Sequence, residues 1–310
     1  MKRLLFWSGL LLCGTFLYAQ EIDPTYIFNH QHQNLTNPAT VGLERGHTVS
    51  VDIRNQFRGM TEAPQTQTFF TTHQLSERVG LGVSVANNKV FIQKQAGIYA
   101  DVSYAIPITY NANLIGGVKF GGDFFNIDAG EMSQYNYLYN TFQNGVRLHD
   151  TYYNSPYLQG ISGKFQTNFG TGLYYDHPNF YLGFSMPNML ASDKVRMDND
   201  VMTSVAENMF YYVMAGYYWR PSPDFTVKPR FQWRMGKGEF PSADITVAGN
   251  FLSRSELGIT YRTEKALNAY LLFDLPAYFV AIGYGFESYF QTRLNLQSRN
   301  SHEFLVQFKW

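Results

Sequence analysis

A chain of 310 residues with 24 basic and 24 acidic side chains has no net charge, and without a basic excess a nucleic-acid partner is excluded. Aromatic residues reach 17%, with 23 Tyr and 26 Phe, while charged residues are only 15% against the usual quarter of a globular protein. A single cysteine, Cys13, excludes a disulfide framework and a thiolate metal centre.

The first nineteen residues read as a cleaved secretory signal. Lys2 and Arg3 precede an apolar core from Leu4 to Leu17, and Ala19 stands before Gln20. Leu12 occupies the place where lipidation of Cys13 would need a small residue. Residues 20–45 do not alternate and form a short N-terminal segment. Tyr26, Ile27 and Phe28 are placed to start a short helix, which must stop before "NPA" because Asn37 precedes Pro38. That segment, expected on the periplasmic side, either hangs beneath the strand-rich remainder of the chain or folds into it.

From residue 46 to 310 the period is two. Val49, Val51 and Ile53 alternate with Ser50, Asp52 and Arg54. Ile98, Ala100, Val102, Tyr104 and Ile106 alternate with Tyr99, Asp101 and Ser103, and Phe225, Val227, Pro229, Phe231 and Trp233 with Thr226, Lys228, Arg230, Gln232 and Arg234. About fourteen such strands are predicted, many near the length needed to cross a bilayer at a tilt. Connections after even-numbered strands are short (75–77, 109–110, 221–222, 251–253). Three after odd-numbered strands are long (125–160, 188–206 and 289–300). An up-and-down barrel puts alternate connections at opposite rims, so this sorting predicts an all-β, transmembrane antiparallel β-barrel with short periplasmic turns and long extracellular loops. Its apolar parity faces outer-membrane lipid and its polar parity the lumen. Tyr and Trp near strand ends, as in "YYWRP" at 217–221, supply interfacial girdles. The last strand, "EFLVQFKW", carries Phe308 and Trp310 on its apolar parity. It must pair with the first strand, and its terminal aromatic resembles the C-terminal signal read by barrel-assembly machinery.

Little in the chain points to catalysis. His30 and His32 stand two apart but lack a third ligand nearby in sequence, so no metal or other cofactor is expected. No G-x-S-x-G stretch accompanies His149 and Asp150, which argues against a hydrolase. "GGVKFGGD" at 116–123 lacks a phosphate-loop lysine, and its glycines read as places of close packing or bending. Lumen charges such as Asp101 with Arg230 or Arg234 would either line a channel or neutralise one another in a closed pore; the pattern leaves both open. The tyrosine-rich connection 125–160, with Tyr135, Tyr137, Tyr139, Tyr152 and Tyr153, is a candidate partner-binding loop.

Several stretches, in order along the whole chain after the signal, resemble the PorP/SprF membrane proteins of the type IX secretion system of Bacteroidota. Asn37, Pro38, Ala39 and Gly42 match an Asn-Pro-Ala-x-x-Gly motif. Arg54 and Gln56 lie in an Arg-x-Gln segment where Phe57 replaces the family's Trp. "VGLGVSV" at 79–85 and "NFGTGLYYDHPNFYLGFSMPNML" at 168–190 come next. Tyr261 and Arg262, Gly283 and Tyr284, and finally Ser301, His302 and Glu303 complete the set. Gly285-Phe286-Glu287 departs from the family's more polar version. The resemblance implies a non-enzymatic outer-membrane protein serving type IX secretion. Its implied partners are a large secreted substrate such as a gliding adhesin, gripped by its C-terminal domain, and other secretion components on the periplasmic side. A diffusion porin or hydrophobic-solute transporter is the alternative that the barrel pattern itself allows.

Overall fold

The computed structural model describes residues 25–44, 46–58, 63–90, 93–127, 161–190, 197–198, 201–202, 209–236, 241–290 and 300–310. Fourteen antiparallel strands form one closed barrel. They are β1 (His47–Asn55), β2 (Gln65–Gln74), β3 (Val79–Val90), β4 (Gln93–Thr109), β5 (Ala112–Ile127), β6 (Ile161–His177) and β7 (Phe180–Met186), then β8 (Phe210–Tyr217), which continues past Tyr218 as Trp219–Ser222. β9 (Phe225–Gly236), β10 (Ser242–Phe251), β11 (Ser255–Arg262), β12 (Ala266–Leu275), β13 (Val280–Tyr289) and β14 (Asn300–Lys309) complete it. Each strand pairs with its sequence neighbours, β8 joins β7 to β9, and β14 returns to β1. A two-residue ladder, Met197–Asp198 with Val201–Met202, lies between β7 and β8 in sequence.

Side chains sort by parity as the pattern requires. Val51, Ile53, Phe69, Val83, Val102 and Phe120 point outward, whereas Ser50, Asp52, Arg54, Asp101 and Ser103 are buried inside. Closure has the same solvent origin. Hydrocarbon offers no partner to a backbone N–H or C=O, so every ladder must end on another ladder. Tight turns gather at one end, after β2, β4, β6, β8, β10 and β12. Exposed aromatics collect there too: Tyr110, Tyr217, Trp219, Phe251, Tyr278 and Trp310. This is the girdle expected where amphipathic rings meet the headgroup layer.

Strand boundaries move by a few residues from the expected ones. β5 runs to Ile127 because its ladder with β4 continues to Gln93, so the long connection starts at 128 rather than 125. β13 starts at Val280 because Pro276–Tyr278 form a 3-10 turn ending on Phe279 with φ 56°. The predicted loop tyrosines Tyr135, Tyr137, Tyr139, Tyr152 and Tyr153 lie outside the described residues.

The barrel closes on its final residue. β1 and β14 are in register from Thr48 opposite Lys309 to Asn55 opposite His302. Beyond the ladder, His47 and Trp310 exchange backbone hydrogen bonds of 2.8 and 3.1 Å. The Trp310 ring stacks on His47, which stacks on His73 at 4.1 Å between centroids. Phe308 faces outward. Deleting Trp310 or making Phe308→Asp is expected to leave much of the protein unassembled, because the first removes the closing backbone pair with His47 and the second puts a carboxylate on the lipid-facing side of the last strand. The check is the fraction that migrates as a heat-modifiable band on unboiled gels, against wild type.

Candidate functional site

The lumen is filled by the chain's own N-terminal segment. The segment expected on the periplasmic side is not a free appendage in its described part: residues 25–44 lie within the barrel, the second of the two placements its sequence allowed. Turns at residues 27–31 lead into a single helical turn, Gln33–Thr36, and a 3-10 turn, Pro38–Thr40. The helix starts later than the expected Tyr26, because Ile27 and Phe28 give their N–H groups to Glu303 on the wall. It stops where predicted: Asn37 is extended (φ −135°, ψ 106°) ahead of Pro38.

An irregular backbone inside a barrel must find partners on the wall, and this one does. Glu303 of β14 accepts the N–H of Ile27 at 2.7 Å and of Phe28 at 2.9 Å. The wall donates to plug carbonyls in turn: Lys119 to Asn34 O at 3.2 Å, Ser185 to Thr36 O at 2.8 Å, and Ser103 to Val41 O at 2.7 Å. Asn37 caps its own turn by accepting from Ala39 N–H at 3.0 Å, and it donates to Leu173 O at 3.1 Å.

Shape agrees with the polar contacts. Glycines on the wall face the plug where its backbone comes closest. A Cβ on Gly172 would lie 2.0 Å from Asn37 Oδ1, one on Gly117 2.3 Å from Ala39 N, and one on Gly80 2.2 Å from Val41 O. Gly283 and Gly285 clear Phe28 and Ile27. Ile27 and Phe28 pack against Tyr270, Leu272 and Leu305 of the inner wall, and Ala39 joins Ile115, Tyr174, Tyr181 and Met214. Burying two side chains such as Ile27 and Phe28 stabilises docking by about 1.5–3 kcal/mol each.

Beside Ile27 and Phe28 sits a buried ionic chain, at the end bearing the long connections. Arg54 of β1 bridges Glu303 (3.0 Å) and Glu287 of β13. Arg262 of β11 bridges Glu287 (2.6 Å) and Asp244 of β10 (2.8 Å). Arg262 also donates to Thr25 Oγ1 and the Tyr26 carbonyl, and Asn29 to Asp244 at 3.0 Å, so the chain grips the plug as well as itself. A second cluster places Glu256 between Lys228 (2.6 Å), Arg230 (2.9 Å) and the Tyr270 hydroxyl (2.8 Å). The expected pairing of Asp101 with Arg230 or Arg234 does not occur. Asp101 meets Lys119 on the adjacent strand at 3.2 Å, and Arg234 meets Glu264. Neighbouring inward positions satisfy one another before reaching across the lumen.

His30 and His32 do not share a face. His30 lies over Tyr270, 3.4 Å from Glu256, while His32 sits edge-on to Phe70 near Asp52. Burial, helped by the Arg230 charge, lowers the His30 pKa to about 4, and burial lowers that of His32 to about 3. Both rings are neutral at neutral pH. A polar cavity of about 30 Å³, lined by Thr25, Tyr26, Asn29, His32, Arg234 and Arg262 among others, has room for a water or two and not for a solute.

The motif residues thus divide. Asn37, Pro38, Ala39, Gly42, Arg54, Arg262, Gly283 and Glu303 meet at the plug–wall contact. Gly42 has φ 75°, and a Cβ there would lie 2.6 Å from Gly80. Gln56 is buried just past β1, where its N–H bonds Pro64 O, and Phe57 comes next with φ 51° against Tyr289. Tyr261, Tyr284 and His302 face outward, with the Tyr284 hydroxyl 2.9 Å from His302 Nδ1. Glu287, Asp244 and Leu305 were missed by sequence reasoning. Leu305 carried a usable signal, an apolar residue on a polar parity.

A closed barrel of fourteen antiparallel strands, apolar outside and polar inside, is an outer-membrane β-barrel protein. Among solved structures the chain is similar to the Ralstonia pickettii toluene transporter TbuX, with TM-score 0.50 and 11% identity over 88% of this chain and 92% of that one. It is also similar to the Acinetobacter baumannii outer membrane protein Omp33, with TM-score 0.49 and 10% identity over 87% and 100%. At such identities the likeness is one of fold. No curated protein matches this chain. Residues 19–308 match the family of the type IX secretion system membrane protein PorP/SprF, and the chain belongs to that family.

Removing Glu303 leaves two plug N–H groups unpaired and takes from Arg54 one of its two carboxylates. Breaking a buried pair in this way costs about 3–5 kcal/mol. Glu303→Ala is therefore expected to release the plug while the barrel remains. Gly172→Ala should do the same by steric means. With Cys13→Ser as background and Thr40→Cys as reporter, maleimide labelling should rise at least about tenfold in either variant. Labelling should stay at the wild-type rate in the outward-facing control Tyr261→Phe.

Proposed function

We propose that this outer-membrane protein is an accessory of type IX secretion that assists export of a large secreted substrate, or holds its C-terminal domain at the surface, and is not a diffusion pore. Family membership supplies the secretion context. The observation that favours an accessory over a pore is the filled lumen: solute passage would require expelling a segment held by Glu303, Lys119, Ser185 and Ser103 together. On this reading residues 1–19 are a cleaved signal peptide and the tight turns face the periplasm. The long connections are extracellular, and the tyrosine-rich one with Tyr135, Tyr137, Tyr139, Tyr152 and Tyr153 grips the substrate, with a gliding adhesin as one candidate. Other secretion components meet the periplasmic rim. No catalytic residue or cofactor enters this role.

The reading predicts a silent barrel with a specific companion. Purified protein in planar bilayers should give no steady conductance, and protein isolated from native membranes should bring down a large secreted polypeptide. Sustained ohmic conductance with no companion would instead support a diffusion porin. Deleting residues 130–158 should abolish surface retention of the substrate while the barrel remains heat-modifiable. Undiminished display by that deletion would overturn the loop assignment.

A further inference from the structure

His32, which sequence spacing separates from any third ligand, gains two from the barrel wall. Asp52 of β1 and Glu303 of β14 approach it, so that one donor atom from each of the three side chains lies within 4.8 Å of the other two. The closest approach to Asp52 is 3.8 Å, from His32 Nε2 to Oδ2. All three residues are at most 1% exposed, and the Tyr26 and Phe70 rings pack on the imidazole at 4.9 and 5.4 Å.

Within this enclosure the hydrogen-bonding capacity is unspent. Neither nitrogen of His32 has a hydrogen-bond partner among the described residues, and the Asp52 carboxyl has none beyond the neighbouring carboxyl of Glu303. Glu303 uses three of its roughly four acceptor sites, on Ile27 N–H, Phe28 N–H and Arg54, which leaves one free. Buried polar groups are rarely left this way. The contact-linked cluster also sets four carboxyls (Asp52, Asp244, Glu287, Glu303) against two guanidiniums (Arg54, Arg262).

We propose that His32, Asp52 and Glu303 bind one divalent transition-metal ion of the zinc type, which staples the plug to the seam where the barrel closes. The site goes beyond the secretion role and stands independently of it. One imidazole nitrogen with carboxylate oxygens suits zinc and its neighbours. Calcium would ask for six to eight oxygens, and copper(I) for sulfur. Donors at about 2.0–2.2 Å from such an ion stand closer together than these do, so binding draws the three side chains inward. Because β1 and β14 are the first and last strands, the ion would join both ends of the barrel to the plug at one point.

The test uses the full-length processed protein in detergent micelles, stripped with EDTA, titrated with Zn²⁺ and dialysed. About one zinc per chain should be retained, Co²⁺ should give visible ligand-field bands that Zn²⁺ displaces, and Zn²⁺ should raise the unfolding temperature. His32→Gln should weaken binding at least about tenfold and abolish the temperature shift, as should Asp52→Asn; His30→Gln should do neither. Folded wild type that retains no stoichiometric zinc would overturn the site, whether or not the variants fold, and would assign the unspent capacity to protons and water. Binding that survives His32→Gln but is lost in His73→Gln would equally overturn it, moving the ion to the stacked His47–His73 pair at the rim.

Discussion

A backbone in hydrocarbon can place its N–H and C=O groups only on other protein groups, and this constraint acts twice in the present fold. It first closes the wall, so that β1 must find β14 and the chain's last residue must still form a ladder-like pair with His47. It then governs the plug, whose turns leave carbonyls and N–H groups that no strand neighbour can reach. Those groups are met one by one from the wall, by Glu303, Lys119, Ser103 and Ser185. The plug is therefore not loose filling. Its irregular path traces the inward-facing side chains that satisfy it.

The same logic accounts for the charge in the lumen. Arg54, Glu287, Arg262, Asp244 and Glu303 are buried by the plug, and a buried ion is tolerable only when paired and hydrogen-bonded. Each guanidinium bridges two carboxylates, and Glu303 also accepts two N–H groups of the plug backbone. Barrel strands and plug are thus interdependent: without the plug the ionic chain would be open to water, and without the chain the plug's first turn would have no acceptor.

The wall was readable from sequence because a membrane strand has only two faces. Alternation in "SVDIRN" and the sorting of short and long connections yield strand number, closure and the outward set within a few residues. The plug was not, because its contacts join residues far apart in the chain, from 62 positions between Val41 and Ser103 to 276 between Ile27 and Glu303, and no local period reports them. Partial signals existed. Leu272 and Leu305 stand on polar parities, which water would not favour and a protein filling would. Wall glycines such as Gly117 and Gly172 bring a strand no advantage of their own; their reason is the approach of Ala39 and Asn37. The family motifs likewise look like scattered punctuation along the chain, yet Asn37, Arg54, Arg262, Gly283 and Glu303 converge on one contact.

Fold and role separate at this point. The wall is shared in outline with a toluene transporter, so strand pairing and closure cannot decide between a pore and an accessory. The lumen face can. A conduit needs inward side chains that meet water or a passing solute. Here the inward glycines are spaced to admit a particular backbone, and the inward apolar residues Tyr270, Leu272 and Leu305 meet Ile27 and Phe28. The inner wall is complementary to a segment of its own chain. In the proposed accessory role, that complementarity shifts the burden of recognition from the lumen to the rims.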